Sequence, residues 1–203
     1  LVGRDRCNIY TGPEVVEFDG VPIQFIPWIN ANNYDESMTA LSRSPAQIAM
    51  GHLEVNGFEM HKGQFADGAY DKESFQRFDI VMSGHFHHKS DDGHIYYLGT
   101  PYEIYWSDYE DPRGFHIFDT DTRELERIVN PYRLFEKVYY DDTTTDYTEY
   151  DMSKFKDMYV KVIVVNKKDL YQFDKFVDKL LQADAHEVKI VEDFSELDAE
   201  NVS

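Results

Sequence analysis

Two places in this chain set histidines directly behind what reads as a buried strand. His85 and His87 follow the apolar run Asp79-Ile80-Val81-Met82-Ser83 and a glycine, Gly84. In extended backbone, residues i and i+2 point the same way, so both imidazoles can face one site while Phe86 packs behind them. Gly84 is expected to let the backbone and a metal approach closely. The second place is Gln47-Ile48-Ala49-Met50-Gly51-His52, again a short apolar strand, a glycine and a histidine. Neutral imidazole is the commonest protein ligand for Zn-, Mn- or Fe-type ions. A lone His-x-His is common on solvated turns. Two strand ends that each deliver histidines suit neighbouring strands with their ligands on one sheet edge, the usual seat of sites on layered α/β folds. Metal binding is therefore the role expected of His52, His85 and His87.

The remaining histidines read blandly. His88 alternates to the opposite face, His61 sits in a charged loop, His94 starts a strand, His116 lies within one, and His186 follows a helix end. Each is expected to be a surface or core residue. Glu54 and Asp79 lie near the ligand segments, where solvated loop and turn roles are expected.

The elements that would hold these residues can be traced along the chain. Val15 to Phe18 and Val21 to Ile26 flank Asp19-Gly20, a hairpin turn signal. A short helix is expected over Asp35 to Ser42, then the strand at Gln47 to Met50. Glu54 to Phe78 reads as a long loop or partly helical excursion, and long ordered loops in compact domains are usually functional. Strands follow at Asp79 to Ser83 and His94 to Leu98. A hairpin is expected over Gly114 to Asp119 and Leu125 to Val129, with one more strand at Phe135 to Tyr139. Asp141 to Ser153, rich in Asp, Thr and Tyr without periodicity, reads as a linker. Beyond it, Tyr159 to Val165, Asp169 to Gln182 and Glu187 to Val191 form a β-α-β unit. Its helix is expected to bury Leu170, Phe173, Val177, Leu180 and Leu181. The domain reading is thus 1–140, a linker at 141–153, a small module at 154–195 and an acidic tail at 196–203.

Composition sets outer limits. The 203 residues are 42% hydrophobic and 15% aromatic, enough for a real core. No apolar run approaches the roughly 20 residues of a membrane span, and Leu1 to Asp5 has no signal-peptide character. The single cysteine, Cys7, forbids an intrachain disulfide, which fits a reducing cytoplasm. The formal charge of −19 excludes a general nucleic-acid coat. It leaves room for an enzyme that meets phosphodiesters only where cations sit.

Gly51-His52-Leu53-Glu54-Val55-Asn56-Gly57 and Ser83-Gly84-His85-Phe86-His87 resemble the last two motifs of calcineurin-like metallophosphoesterases. Leu98-Gly99-Thr100-Pro101 and Asp111-Pro112-Arg113-Gly114-Phe115 extend the likeness, as do Glu17-Phe18-Asp19-Gly20 and Ile26-Pro27-Trp28 upstream. The combination is similar to the SbcD-type recombination nucleases, in particular their T-even-like phage branch, over residues 8 to 135. The resemblance implies an α/β (α+β) fold, the C-terminal half of a four-layer sandwich, with residues 154–195 as a capping module. It implies two divalent metals, manganese above all, that bridge a phosphodiester and activate water. His52 and His85 would hold one metal and His87 the other. The family's remaining ligands are an Asp-x-His, a bridging Asp and an Asn-His-Asp whose His assists catalysis. Gly3-Arg4-Asp5 is no equivalent of the last, so no catalytic residue is assigned here. The chain alone is expected to hold at most one ion weakly, to be inactive, and to cover its open sheet edges by self-association.

The resemblance further implies DNA ends as substrate, an SMC-like ATPase of the SbcC type as partner, no membrane association, and the cytoplasm (a host's, for a phage protein). Two other readings stand beside it. One is a metallophosphoesterase acting on small phosphoesters or phosphoproteins; the other is a non-catalytic assembly module.

Overall fold

Asp19 and Gly20 both take positive φ, 49° and 80°, the signature of a two-residue type I′ turn. It joins β1 (Glu14–Phe18) to β2 (Val21–Ile26) with Phe18 opposite Val21. The structure is a computed structural model and describes residues 7–61, 63–67 and 70–192. The expected acidic tail and Gly3-Arg4-Asp5 lie outside the described residues. After β2 come α1 (Tyr34–Arg43), β3 (Ile48–Gly51), β4 (Glu59–His61), β5 (Gln64–Phe65), β6 (Ile80–Ser83), β7 (Ser90–Asp91) and β8 (Ile95–Tyr97). Then follow β9 (Gly114–Phe118), β10 (Leu125–Val129), β11 (Phe135–Asp141), β12 (Tyr159–Asn166), α2 (Leu170–Gln182) and β13 (Glu187–Val191). The fold class is mixed α/β with several sheets and few helices. Among the described residues, no helix is long and apolar enough to cross a membrane.

The chain divides into two compact units. The first runs to Pro101 and resumes over Pro112–Val129; the second takes Tyr102–Asp111 and the described chain from Asn130 onward.

In the first unit, six strands lie in the order β1-β2-β3-β6-β8-β7. β2, β3, β6 and β8 are mutually parallel, with β1 and β7 antiparallel at the edges. Period-two alternation sends side chains to two separate cores. Ala49, Val81, Ile95 and Tyr97 point to one, with Leu41 of α1 and with Val55, Phe58, Phe75 and Phe78 of the expected loop. Ile48, Met82 and Ile23 point to the other, against Phe118 and Leu125 of the β9–β10 hairpin. The Glu54–Phe78 excursion is therefore a packed layer, since its aromatic residues have the sheet to bury themselves on.

The second unit carries β11-β12-β13, all parallel, with α2 as the crossover between β12 and β13. Asp169 caps α2, accepting from the Gln172 amide at 3.1 Å. The helix buries Phe173, Phe176 and Leu180. Leu170 and Leu181, expected inside, are 62% and 59% exposed; they lie on the flank of the stripe, and Phe176 takes the central position.

Two boundaries differ from the sequence reading. Phe135 to Tyr139 was assigned to the domain ending at 140, yet β11 pairs residue for residue with β12. The stretch read as a linker is also built in. Tyr147 is buried, stacks on Tyr140 at 4.4 Å, and its hydroxyl donates to the Tyr139 carbonyl and accepts from the Asp141 amide. An aperiodic segment can still be ordered when one ring anchors it to a core.

Candidate metal centre

β3 and β6 are adjacent and parallel, with Gly51 opposite Ser83. Both strands therefore end at the same edge, and the residues that follow them emerge side by side. Gly51 must be glycine: a Cβ there would stand 2.4 Å from the Ile26 carbonyl oxygen. Gly84, where close approach was expected, has nothing within 4 Å of a Cβ. The tight packing is thus behind His52, where the His52 amide donates to that same Ile26 oxygen at 3.3 Å.

A buried polar network fixes the loop after β3. The Ser83 hydroxyl accepts from the Leu53 amide at 3.0 Å and donates to the Leu53 carbonyl at 2.9 Å. It also accepts from the His85 amide at 3.4 Å, so one donor and two lone pairs are all used. The Tyr97 hydroxyl donates to the same Leu53 oxygen at 2.9 Å and accepts from the Val55 amide at 2.8 Å. Burial raises the Tyr97 phenol far above its ordinary value, which keeps it a donor. Ser83→Ala leaves the Leu53 amide buried and unpaired, and the expected cost is about 1–3 kcal/mol. Urea unfolding of the variant checks it; a shift well under 1 kcal/mol would show that the loop re-pairs elsewhere.

This framework brings His52 and His85 together. Nε2 of His52 lies 3.0 Å from Nδ1 of His85, with ring centroids 4.7 Å apart. Burial, and next the neighbouring His52, lowers the His85 pKa, with Glu54 opposing and His87 adding a smaller push downward. His85 is therefore neutral at neutral pH, the form that ligates metals. The other nitrogen of His85, Nε2, faces Glu54 Oε2 at 3.8 Å. At that separation the contact is electrostatic and not a hydrogen bond, and which nitrogen donates between His52 and His85 depends on the ring tautomers.

His87 follows in the bent segment after β6, and its backbone is braced. Its carbonyl accepts from the Arg113 guanidinium and from the Thr100 amide at 3.1 Å. Arg113 also donates to the Thr100 hydroxyl at 3.1 Å. Leu98–Pro101 and Pro112–Gly114, two segments named for their resemblance, thus meet at the backbone of His87. Gly99, at φ 73°, makes room for that carbonyl.

Among the described residues, no three His, Cys, Asp or Glu side chains form a ready-made metal cluster. By separation alone the pair also suits a cation. Metal–nitrogen bonds of about 2.1 Å at right angles separate two ligand nitrogens by roughly 3 Å, which is the spacing seen here. Two residues beside the pair escaped the sequence reading of roles. The Glu54 side chain, expected on a solvated loop, is 41% exposed and stands 3.8 Å from His85 Nε2. Trp28 lies against both imidazoles, 5.3 Å from His52 and 4.8 Å from His85.

The other titratable residues are occupied elsewhere. His88 pairs with Glu59 at 3.3 Å, His94 bonds the Phe78 carbonyl at 2.7 Å, and His186 packs on Tyr159. Burial and the nearby Arg127 lower His116. Asp79 pairs with Arg123 at 2.9 Å. The His61 side chain lies outside the described residues.

No protein-family model matches the chain. It is 32% identical over 192 residues to Exonuclease subunit 1 of Enterobacteria phage T4. The match covers 94% of this chain and 54% of that protein, so the chain spans about half the length of the curated relative.

Proposed function

We propose, from the premise of that relationship to an exonuclease subunit, that this chain is the imidazole-bearing part of a metal-dependent DNA nuclease of phage recombination and repair. The observation that supports it most is the 3.0 Å approach of His52 Nε2 to His85 Nδ1 at the shared edge of β3 and β6. A divalent cation bound there, manganese on the resemblance to SbcD-type metallophosphoesterases, would polarise a phosphodiester oxygen and activate water for in-line attack.

The chain's own residues have distinct parts. His52 and His85 present the two nitrogens, each ring carrying its proton on the opposite nitrogen when a cation is bound. Glu54, facing His85 Nε2, favours the proton there electrostatically. Ser83 and Tyr97 hold the Leu53 peptide, and with it His52, at the strand edge. His87 is assigned to a second cation. Two imidazoles without a bridging carboxylate hold an ion weakly. We therefore assign the remaining ligands, and the activity that needs them, to the part of the relative that this chain does not span. A relative called subunit 1 also suggests a second kind of chain. The SbcC-type ATPase is the partner that the family resemblance supplies, with DNA ends as substrate and the host cytoplasm as the setting.

The net charge of −19 favours one other reading, a phosphoesterase of small diesters. Both are tested in a preparation that also supplies the rest of the relative's length. Manganese-dependent cleavage is compared on linear duplex DNA, single-stranded DNA and a small aryl phosphodiester. Cleavage of DNA is expected; activity on the small diester with none on DNA would move the assignment to the second reading.

Glu54 gives a separate check. Glu54→Gln removes the charge that faces His85, and manganese affinity is expected to fall by about 10–100-fold. Calorimetric titration measures it, and an unchanged affinity would return Glu54 to a solvated role.

A further inference from the structure

Trp28 is 50% exposed, although large aromatic side chains usually bury most of their surface. Its backbone is tied into a local network. Its carbonyl accepts from the side-chain amides of Asn33 at 2.9 Å and Asn30 at 3.4 Å. Asn33 Oδ1 in turn accepts from the Asn30 amide at 2.7 Å, and Asn30 Oδ1 from the Asn32 amide at 2.9 Å. Such interlocked Asx bonds fix a loop that has little core to pack on. The chain's other tryptophan, Trp106, is more covered: the Lys161 ammonium sits 4.0 Å over its ring and Phe135 lies 4.7 Å away.

One side of the Trp28 indole leans on His52 and His85, and the rest of its surface meets solvent. Beside it, Ile29, Leu53, Glu54 and Tyr70 complete a depression of about 40 Å³ with His52. That is room for a water but not for a purine or pyrimidine, so a flat ligand would lie on this surface rather than enter it. An exposed indole whose ring lies 5.3 Å from His52 and 4.8 Å from His85 offers a flat surface beside the two candidate metal ligands. Every base has a π-face, so a platform of this kind gives affinity without sequence choice.

We infer that Trp28 stacks on the nucleobase next to the phosphodiester held at the histidine pair, in single-stranded DNA. The inference rests on the nuclease reading above. It makes Trp28 a substrate-binding residue that is not itself a metal ligand.

The test uses the full chain with excess manganese at low ionic strength. A labelled intact thymidine pentanucleotide is compared by fluorescence polarisation with strands that each carry an abasic sugar at one position. The intact strand is expected to bind about tenfold more tightly than a strand abasic at one position. Trp28→Ala is expected to erase that ratio and Trp28→Phe to keep part of it. A purely structural role for Trp28 would weaken both strands equally and leave the ratio unchanged. Equal binding of intact and abasic strands by the unaltered chain, or a ratio that survives Trp28→Ala, would overturn the inference. His85→Ala tests the underlying reading separately. It is expected to weaken both strands by the same factor; no weakening of either would count against the phosphate-bound cation, whatever Trp28 does.

Discussion

Replacing His85 with alanine is expected to lower manganese-dependent DNA cleavage at least about a hundredfold, since loss even of an outer-shell partner costs about 10–100-fold. The assay is the preparation that supplies the rest of the relative's length. The argument is geometric. His85 Nδ1 and His52 Nε2 are 3.0 Å apart and are the two nitrogens that converge at the β3–β6 edge. Removing one leaves a single imidazole, which is a poor site for a divalent ion. His52→Ala is expected to match it within a small factor, and the double variant to add little, because the pair acts as one unit. Some stability is also expected to be lost, because the His85 side chain is 18% exposed and its ring packs on Trp28 and Phe86, so folding of the variant is checked by circular dichroism. Cleavage retained within tenfold by a well-folded His85→Ala protein would end the metal assignment.

Phe86→Ala should have the largest effect on stability, about 3–5 kcal/mol in the first unit. Phe86 lies between His85 and His87 in the sequence and is 4% exposed. Its ring stacks on Tyr97 at 4.4 Å and packs 4.9 Å from His85. Truncation opens a cavity directly beneath the histidines and loosens the phenol that holds the Leu53 peptide. Urea unfolding reads this out by unit, because the chain has two tryptophans, Trp28 in one unit and Trp106 in the other. In a Trp106→Phe background the Trp28 transition should move to lower urea. In a Trp28→Phe background the Trp106 transition should stay in place. A shift below about 1 kcal/mol in the first case would mean that neighbouring side chains refill the space. Phe86→Leu, which keeps most of the volume, is expected to cost less than half as much.

Much of the local architecture was legible in the chain itself. Asp19-Gly20 between two alternating runs specifies a type I′ hairpin because both residues tolerate positive φ. Gln47–Met50 and Asp79–Ser83 read as buried strands because each is a short apolar run followed by glycine, too short for a helix, and β3 and β6 lie there within one residue. The spacing of Phe173, Val177 and Leu180 specified α2. Other readings failed where local pattern carries no information. Phe135 to Tyr139 looks the same whether it ends one sheet or begins another, and only pairing with β12 decides. Residues 141–153 lack periodicity, yet Tyr147 inserts into the second core. Gly84 and Gly51 are alike in sequence, and only the Ile26 carbonyl distinguishes them.

The candidate site divides along the same line. Short apolar runs ending in glycine or serine determined that His52 and His85 would stand just beyond strand ends, because strand length is a short-range property. That His52 and His85 meet at 3.0 Å follows from β3 and β6 being neighbours in register, Gly51 against Ser83. Register and strand order are set by which cores the two faces bury, over more than thirty residues of intervening chain. The carboxylate of Glu54 behind His85 and the indole of Trp28 beside both rings belong to that second category. Each comes from a loop whose course is dictated by long-range packing, so only the tertiary structure could bring them to the histidines.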